Sequence, residues 1–79
     1  MRVLMTPDVY TKINNSKTKF LIQNISTDAL KIIIADVQPL PTDPYDFLIE
    51  PRCGISSAHI EGTVWGKSDK NYKITVSVV

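Results

Sequence analysis

The sequence predicts an all-β fold: a small antiparallel β-sandwich or jelly-roll-like barrel of about six to eight short strands, in one domain over residues 1–79. Three observations lead there. Near the C-terminus, Tyr72, Ile74, Val76 and Val78 alternate with Lys73, Thr75 and Ser77, the period-two signature of a strand buried on one face. β-prone runs recur along the chain between short clusters of Asn, Ser, Asp, Pro and Gly, the residues that accept turn geometry. No segment carries an amphipathic helical stripe with a cap at one end and a stop at the other.

Taken in order, residues 1–17 hold two β-prone pieces, Arg2 to Met5 and Val9 to Ile13, separated at Pro7, which cannot donate to a ladder; the first is an arm or an edge strand. Asn14-Asn15-Ser16-Lys17 is a turn by composition. Thr18 to Ile25 then reads as a strand with Phe20 and Ile22 on one face and Leu21 and Ile25 on the other. After the turn at Ser26-Thr27-Asp28, Ala29 to Val37 places Leu30, Ile32 and Ile34 on one face and Ile33 and Ala35 on the other.

Two neighbouring strands with apolar residues on both faces exceed what one sandwich interior can cover. The surplus face predicts either a subunit contact or coverage by the N-terminal segment.

Pro39-Leu40-Pro41-Thr42-Asp43-Pro44 is a loop, since its prolines remove donors, and is expected to carry the chain from one sheet to the other. Tyr45 to Glu50 is a short strand with Phe47 and Ile49 on one face; Pro51 closes it with the fixed φ of a turn, and Gly54 is expected to relieve the backbone strain. Ile55 to Glu61 resumes the sheet. The last two runs, Gly62 to Ser68 and Asn71 to Val79, are expected to pair as a β-hairpin across Lys67-Ser68-Asp69-Lys70-Asn71.

Composition narrows the function classes. A domain of 79 residues sits near the size at which one core only just offsets the entropy of folding. With Cys53 the only cysteine and His59 the only histidine, neither an internal disulfide nor a structural zinc site can staple it, which leaves oligomerisation. The net charge of +1, positive in the first half and negative in the second, is too balanced for electrostatic nucleic-acid or membrane binding. No run approaches a membrane span, and Pro7 and Asp8 interrupt the only N-terminal apolar stretch, so neither membrane insertion nor export is expected. Without export, the acceptor-like triplets Asn14-Asn15-Ser16 and Asn24-Ile25-Ser26 read as chance.

The chemistry-bearing residues are few. Ser56 and Ser57 precede His59, and Gly54-Ile55-Ser56-Ser57-Ala58 is half of a nucleophile elbow, but the second glycine and the strand-to-helix context are missing. Cys53 beside Arg52, with His59, is a thiol–imidazole pair without the local signature of a cysteine enzyme. Asp43, Asp46, Glu50 and Glu61 lack the patterned spacing of a calcium loop and read as solvated. The expectation is therefore no enzyme, no cofactor and no metal.

Trp65, Tyr72 and Tyr45 form a candidate ligand platform for a sugar or a base, or packing elements of the fold or of a subunit contact, and packing is preferred. Phe20 and Ile33, from the doubly apolar strands, join them as candidate interface residues.

Four phrases then resemble a family as a series: Phe20-Leu21-Ile22-Gln23-Asn24-Ile25-Ser26, Phe47 to Ser56 with its Glu50-Pro51-Arg52-Cys53-Gly54 turn, Gly62-Thr63-Val64-Trp65-Gly66-Lys67-Ser68, and Ile74-Thr75-Val76-Ser77-Val78. Together, over about residues 18–79, they resemble small bacteriophage virion proteins of β-sandwich type. Arg52-Cys53 departs from the pattern, where smaller or acidic turn residues are expected.

The resemblance implies a non-enzymatic structural protein made in the host cytoplasm and located on the virion. Such a protein decorates or stabilises the capsid or a fibre as a homo-oligomer, with the major capsid protein or another virion protein as its partner. No catalytic residue is carried over. The alternative function is a module that binds carbohydrate on a host surface through Trp65 and the tyrosines.

Overall fold

The computed structural model describes residues 2–14, 19–57, 62–69 and 74–78. These contain eight strands and no helix: β1 (Arg2–Met5), β2 (Thr11–Lys12), β3 (Leu21–Asn24), β4 (Leu30–Ile34), β5 (Phe47–Ile49), β6 (Gly54–Ser56), β7 (Val64–Ser68) and β8 (Ile74–Val78). They form two antiparallel four-stranded sheets, ordered β1-β8-β3-β6 and β2-β7-β4-β5. Of the two architectures the sequence leaves open, this is the sandwich.

Alternation builds the interior. From the first sheet come Met5, Ile22, Val76 and Val78; from the second come Leu30, Ile32, Ile49 and Val64; Ile13 and Phe20 close the same cluster. The burial that drives folding is thus split between two inner faces, as the period-two patterns require. Gly66 stands on the inner side of β7, where an added Cβ would lie 2.6 Å from Ile13 Cδ1 and 2.8 Å from Met5 Sδ. The missing side chain is what lets these two residues fill the interior.

The topology corrects two expectations. β7 and β8 do not form a hairpin: β7 pairs with β2 and β4, and β8 pairs with β1 and β3. Alternation fixes which face of a strand is buried but not which strand lies beside it, and here the two runs contribute to opposite walls of one core. Nor does the proline-rich segment cross between sheets. β4 and β5 are neighbours in one sheet, with Leu30 opposite Ile49 and Ile32 opposite Phe47, so residues 35–46 are a long connection within it.

The crossing falls instead at Glu50-Pro51-Arg52-Cys53, where Cys53 N–H donates to Glu50 O at 3.0 Å. Pro51 occupies the expected turn position. The strained position, however, is Arg52, with φ 66°, and not Gly54. Gly54 is an ordinary strand residue opposite Gln23, and a Cβ there would lie 2.6 Å from Ile22 O.

Two buried asparagines hold the connections. Asn24, fully buried on β3, donates through Nδ2 to Asp28 O (2.7 Å) and Ile49 O (3.0 Å), while its Oδ1 accepts from Ser26 N–H (3.0 Å) and Ser26 Oγ (2.6 Å). Its backbone adds bonds to Arg52 and Cys53. Asn24 therefore ties the 25–29 crossing to the 50–53 crossing. Asn14 does the same for β7, donating to Gly62 O at 2.8 Å and accepting from Val64 N–H at 3.2 Å. Both amides are buried and hydrogen-bonded, which agrees with reading the two acceptor-like triplets as chance.

Candidate functional site

The candidate interaction surfaces are the two outer faces of the sandwich, and the chain treats them differently. On the outer face of β2-β7-β4-β5, the register places Lys12, Trp65 and Ile33 side by side. Tyr10, Ile33 and Trp65 form a second apolar cluster there, with exposures of 1%, 8% and 8%. The N-terminal segment thus supplies the cover for β4, the second of the two fates the doubly apolar strands allowed.

Hydrogen bonds lock this cover in place. Trp65 Nε1 donates to Ala35 O at 2.9 Å, Tyr10 Oη donates to Asp43 O at 3.1 Å, and Gln38 Nε2 donates to Tyr10 O at 2.9 Å. Lys67 donates to Pro41 O while its ammonium lies 5.2 Å from the centre of the Tyr10 ring. Lys12 lies similarly over Trp65 at 5.5 Å. Burial pushes the Tyr10 phenol above its ordinary range, and the nearby carboxylates of Asp43 and Asp46 push in the same direction.

The loop 35–46 is correspondingly ordered from within. The Asp43 carboxylate accepts from Leu40 N–H at 2.8 Å while Asp43 N–H donates to Leu40 O at 3.0 Å, a closed turn. Asp46 accepts from Ile34 N–H at 2.9 Å. The two carboxylates expected to be merely solvated are bound to backbone amides, a local role that Asp favours in turns.

The outer face of β1-β8-β3-β6 has no such cover among the described residues. Alternation puts Arg2 and Leu4 of β1, Thr75 and Ser77 of β8, Leu21 and Gln23 of β3, and Ser56 of β6 on this side, with Leu4 opposite Thr75 and Gln23 opposite Ser77. Leu4 and Leu21 are each 49% exposed, and Ile25, just past β3, is 41% exposed. Leu21 and Ile25 are the surplus apolar face read from the sequence; Leu4 adds to it from a strand whose outer side gave no such signal.

The residues singled out from the sequence are therefore dispersed. Phe20 is a core residue between the sheets, and Trp65 and Ile33 are buried together with Tyr10 in the outer cluster, so none of the three offers appreciable ring or chain surface to a ligand. Tyr45 stands apart, 44% exposed, with the Lys31 ammonium 5.6 Å from its ring centre. Tyr72 and His59 lie outside the described residues. Cys53 is an exposed free thiol in the crossing turn, and the Ser57 hydroxyl accepts from Phe20 N–H at 3.1 Å. Lys31 pairs with Asp69 at 3.5 Å.

Sequence reasoning missed Tyr10, which by alternation shares the outer face with Lys12 two residues on, because what buries it there is the sequence-distant loop 35–46. Comparison of the chain with known protein families, curated proteins and solved structures finds no match.

Proposed function

We propose that the chain is a non-enzymatic structural subunit of a bacteriophage virion, one that decorates or stabilises the capsid or a fibre by packing its open sheet face against itself and its support. The observation that carries this reading is the pairing of one outer face closed by the chain's own Tyr10 and loop with a second that exposes Leu4, Leu21 and Ile25. Half-exposed aliphatic side chains at both ends of one sheet face, separated by Ser77 and Gln23, have the composition of a surface that gains stability when covered. The strand-and-turn phrases that resemble small virion proteins supply the particle as the setting.

The test is co-sedimentation with purified empty capsids and tails. The wild-type chain is expected to pellet with one of these, and Leu21→Glu, with its fold intact by circular dichroism, to remain in the supernatant. Failure of the wild type to bind any particle component overturns the reading.

A second reading, carbohydrate binding, is favoured by Tyr45 and not by Trp65, since an exposed ring beside an ammonium is the arrangement that stacks on a sugar. Saturable signal on a glycan array, lost in Tyr45→Ala, would replace the first reading with this one.

A further inference from the structure

We propose that copies of this chain assemble head to tail, the loop 36–46 of one copy seated on the outer face of β1-β8-β3-β6 of the next. The inference rests on the structural-subunit reading and specifies its geometry. The loop is built to present apolar side chains from a fixed backbone. Tyr10 and Lys67 bind its carbonyls, Trp65 binds that of Ala35 at its base, Gln38 ties it back to Tyr10, and Asp43 and Asp46 cap amides within it and at its base. From that frame Val37 and Leu40 project with 75% and 65% exposure, the two largest values for large apolar side chains among the described residues. Anchoring of this kind removes the ordering cost that a free loop would meet on binding.

The two surfaces are complementary in charge as well as in polarity. Within residues 36–46 the charged side chains are Asp36, Asp43 and Asp46, all acidic. The receiving sheet has no acidic residue on any of its four strands, and Arg2, on its outer face, is the one charged residue they carry; in the turn into β6 exposed Arg52 is balanced by exposed Glu50. An acidic apolar knob and an aliphatic face whose strands carry a single, basic charge attract and orient one another.

They also lie on opposite sides of the sandwich, because the loop covers the β2-β7-β4-β5 side. A single copy therefore cannot satisfy both surfaces, and two copies joined by this contact still leave one knob and one face open. That is a heterologous interface, which propagates into a ring or a filament where an isologous one would stop at a dimer. The open face of the terminal copy remains available to the support.

The experiment is sedimentation velocity on the full chain and two variants, Leu40→Lys in the loop and Leu21→Glu on the face, with Val37→Lys and Leu4→Glu as replacements should either lose its circular dichroism signature. Both side chains are exposed, so the fold is expected to persist. The wild type is expected to grow with concentration beyond two chains and to dissociate as salt is raised. Each variant alone should sediment as one chain of 8.9 kDa. An equimolar mixture should yield a species of exactly two chains, since one variant keeps its knob and the other its face.

A wild type that stays monomeric or stops at a dimer overturns the proposal, as does a mixture that stays monomeric. The particle assay separates this from the reading beneath it. Leu40→Lys should still bind particles as a single layer, so loss of particle binding in the wild type with assembly intact contradicts only the virion setting.

Discussion

Replacing Trp65 by alanine is expected to remove a large share of the stability of this domain. Trp65 is 92% buried by its 8% exposure, and a tryptophan buries roughly 150–250 Å² of surface, worth about 4–6 kcal/mol as an upper bound at ~25 cal/mol per Å². Its Nε1 bond to Ala35 O adds about 1 kcal/mol. The cluster has only three buried members and lies beneath a surface loop, so its neighbours can settle into the vacated space, which favours the lower part of the ~3–5 kcal/mol range for removing a large aromatic. A domain of 79 residues has a total stability of about 4–12 kcal/mol. The melting temperature should fall by at least about 12 °C, at roughly 4 °C per kcal/mol or more for a domain of this size.

Trp65→Phe, which keeps a ring but loses the donor to Ala35 O, should cost about 1–2 kcal/mol. The assay is thermal and urea unfolding followed by far-ultraviolet circular dichroism, because the substitution removes the only tryptophan and with it the fluorescence signal. A melting curve of Trp65→Ala unchanged within about 2 °C would refute the packing argument, since surface substitutions are usually within ~0.5 kcal/mol of neutral.

Other expectations follow from single residues. Asn24→Ala should cost about 2–3 kcal/mol in urea unfolding, because it removes the Asn24 donor from buried Ile49 O, one of two side-chain donors from Asp28 O, and the acceptor of Ser26 N–H; a loss below ~0.5 kcal/mol would show that water replaces them freely. Arg52→Gly should stabilise the chain by up to about 1 kcal/mol, as glycine accepts φ 66° without steric strain, and a lower melting temperature would contradict this. Gly54→Ala should be worse than Gly66→Ala, since the first meets the backbone oxygen of Ile22 and the second meets the movable ends of Ile13 and Met5; equal costs would contradict this.

Tyr10 makes a pH-dependent prediction. Its phenol is raised above the ordinary value of about 10, so the folded state holds the proton more tightly than the unfolded chain does. The associated stability is fully present below about pH 10 and is lost as pH rises through the folded-state value. Tyr10→Phe should be less stable than the wild type at neutral pH by about 1 kcal/mol, for want of the bond to Asp43 O, and the difference should narrow above about pH 10. A difference constant across the alkaline limb would remove Tyr10 from that titration.

Much of the fold was legible because period-two alternation is a local property. Val76 and Val78 face the core while Thr75 and Ser77 face outward, Val64 and Trp65 take opposite sides of β7, and β1 spans the residues read as the first strand. Partnership was not legible, since it depends on which strands share a wall of the core, and a polar composition such as that of 67–71 is compatible with a hairpin turn and with a link between sheets alike. The same ambiguity placed the sheet crossing in the proline-rich loop instead of at Pro51-Arg52. The surplus face of β3 was visible as Leu21 and Ile25, whereas for its counterpart on β4 the sequence left a subunit contact and coverage by the N-terminal segment both open. The closure of that face depends on Tyr10 and on carbonyls of the loop, a long-range arrangement that leaves no periodic trace.

The central claim is that one outer face is sealed by the chain and the other is held open for a second copy. Hydroxyl-radical footprinting read by mass spectrometry across a concentration series tests it residue by residue. At low concentration Leu4, Leu21 and Leu40 should be labelled readily while Trp65 and Tyr10, intrinsically more reactive, are protected by burial. On concentration Leu21 and Leu40 should become protected together, with Trp65 and Tyr10 unchanged. Labelling of Trp65 and Tyr10 as fast as that of exposed Tyr45, or of Leu21 and Leu40 at the same rate throughout the series, would contradict the account.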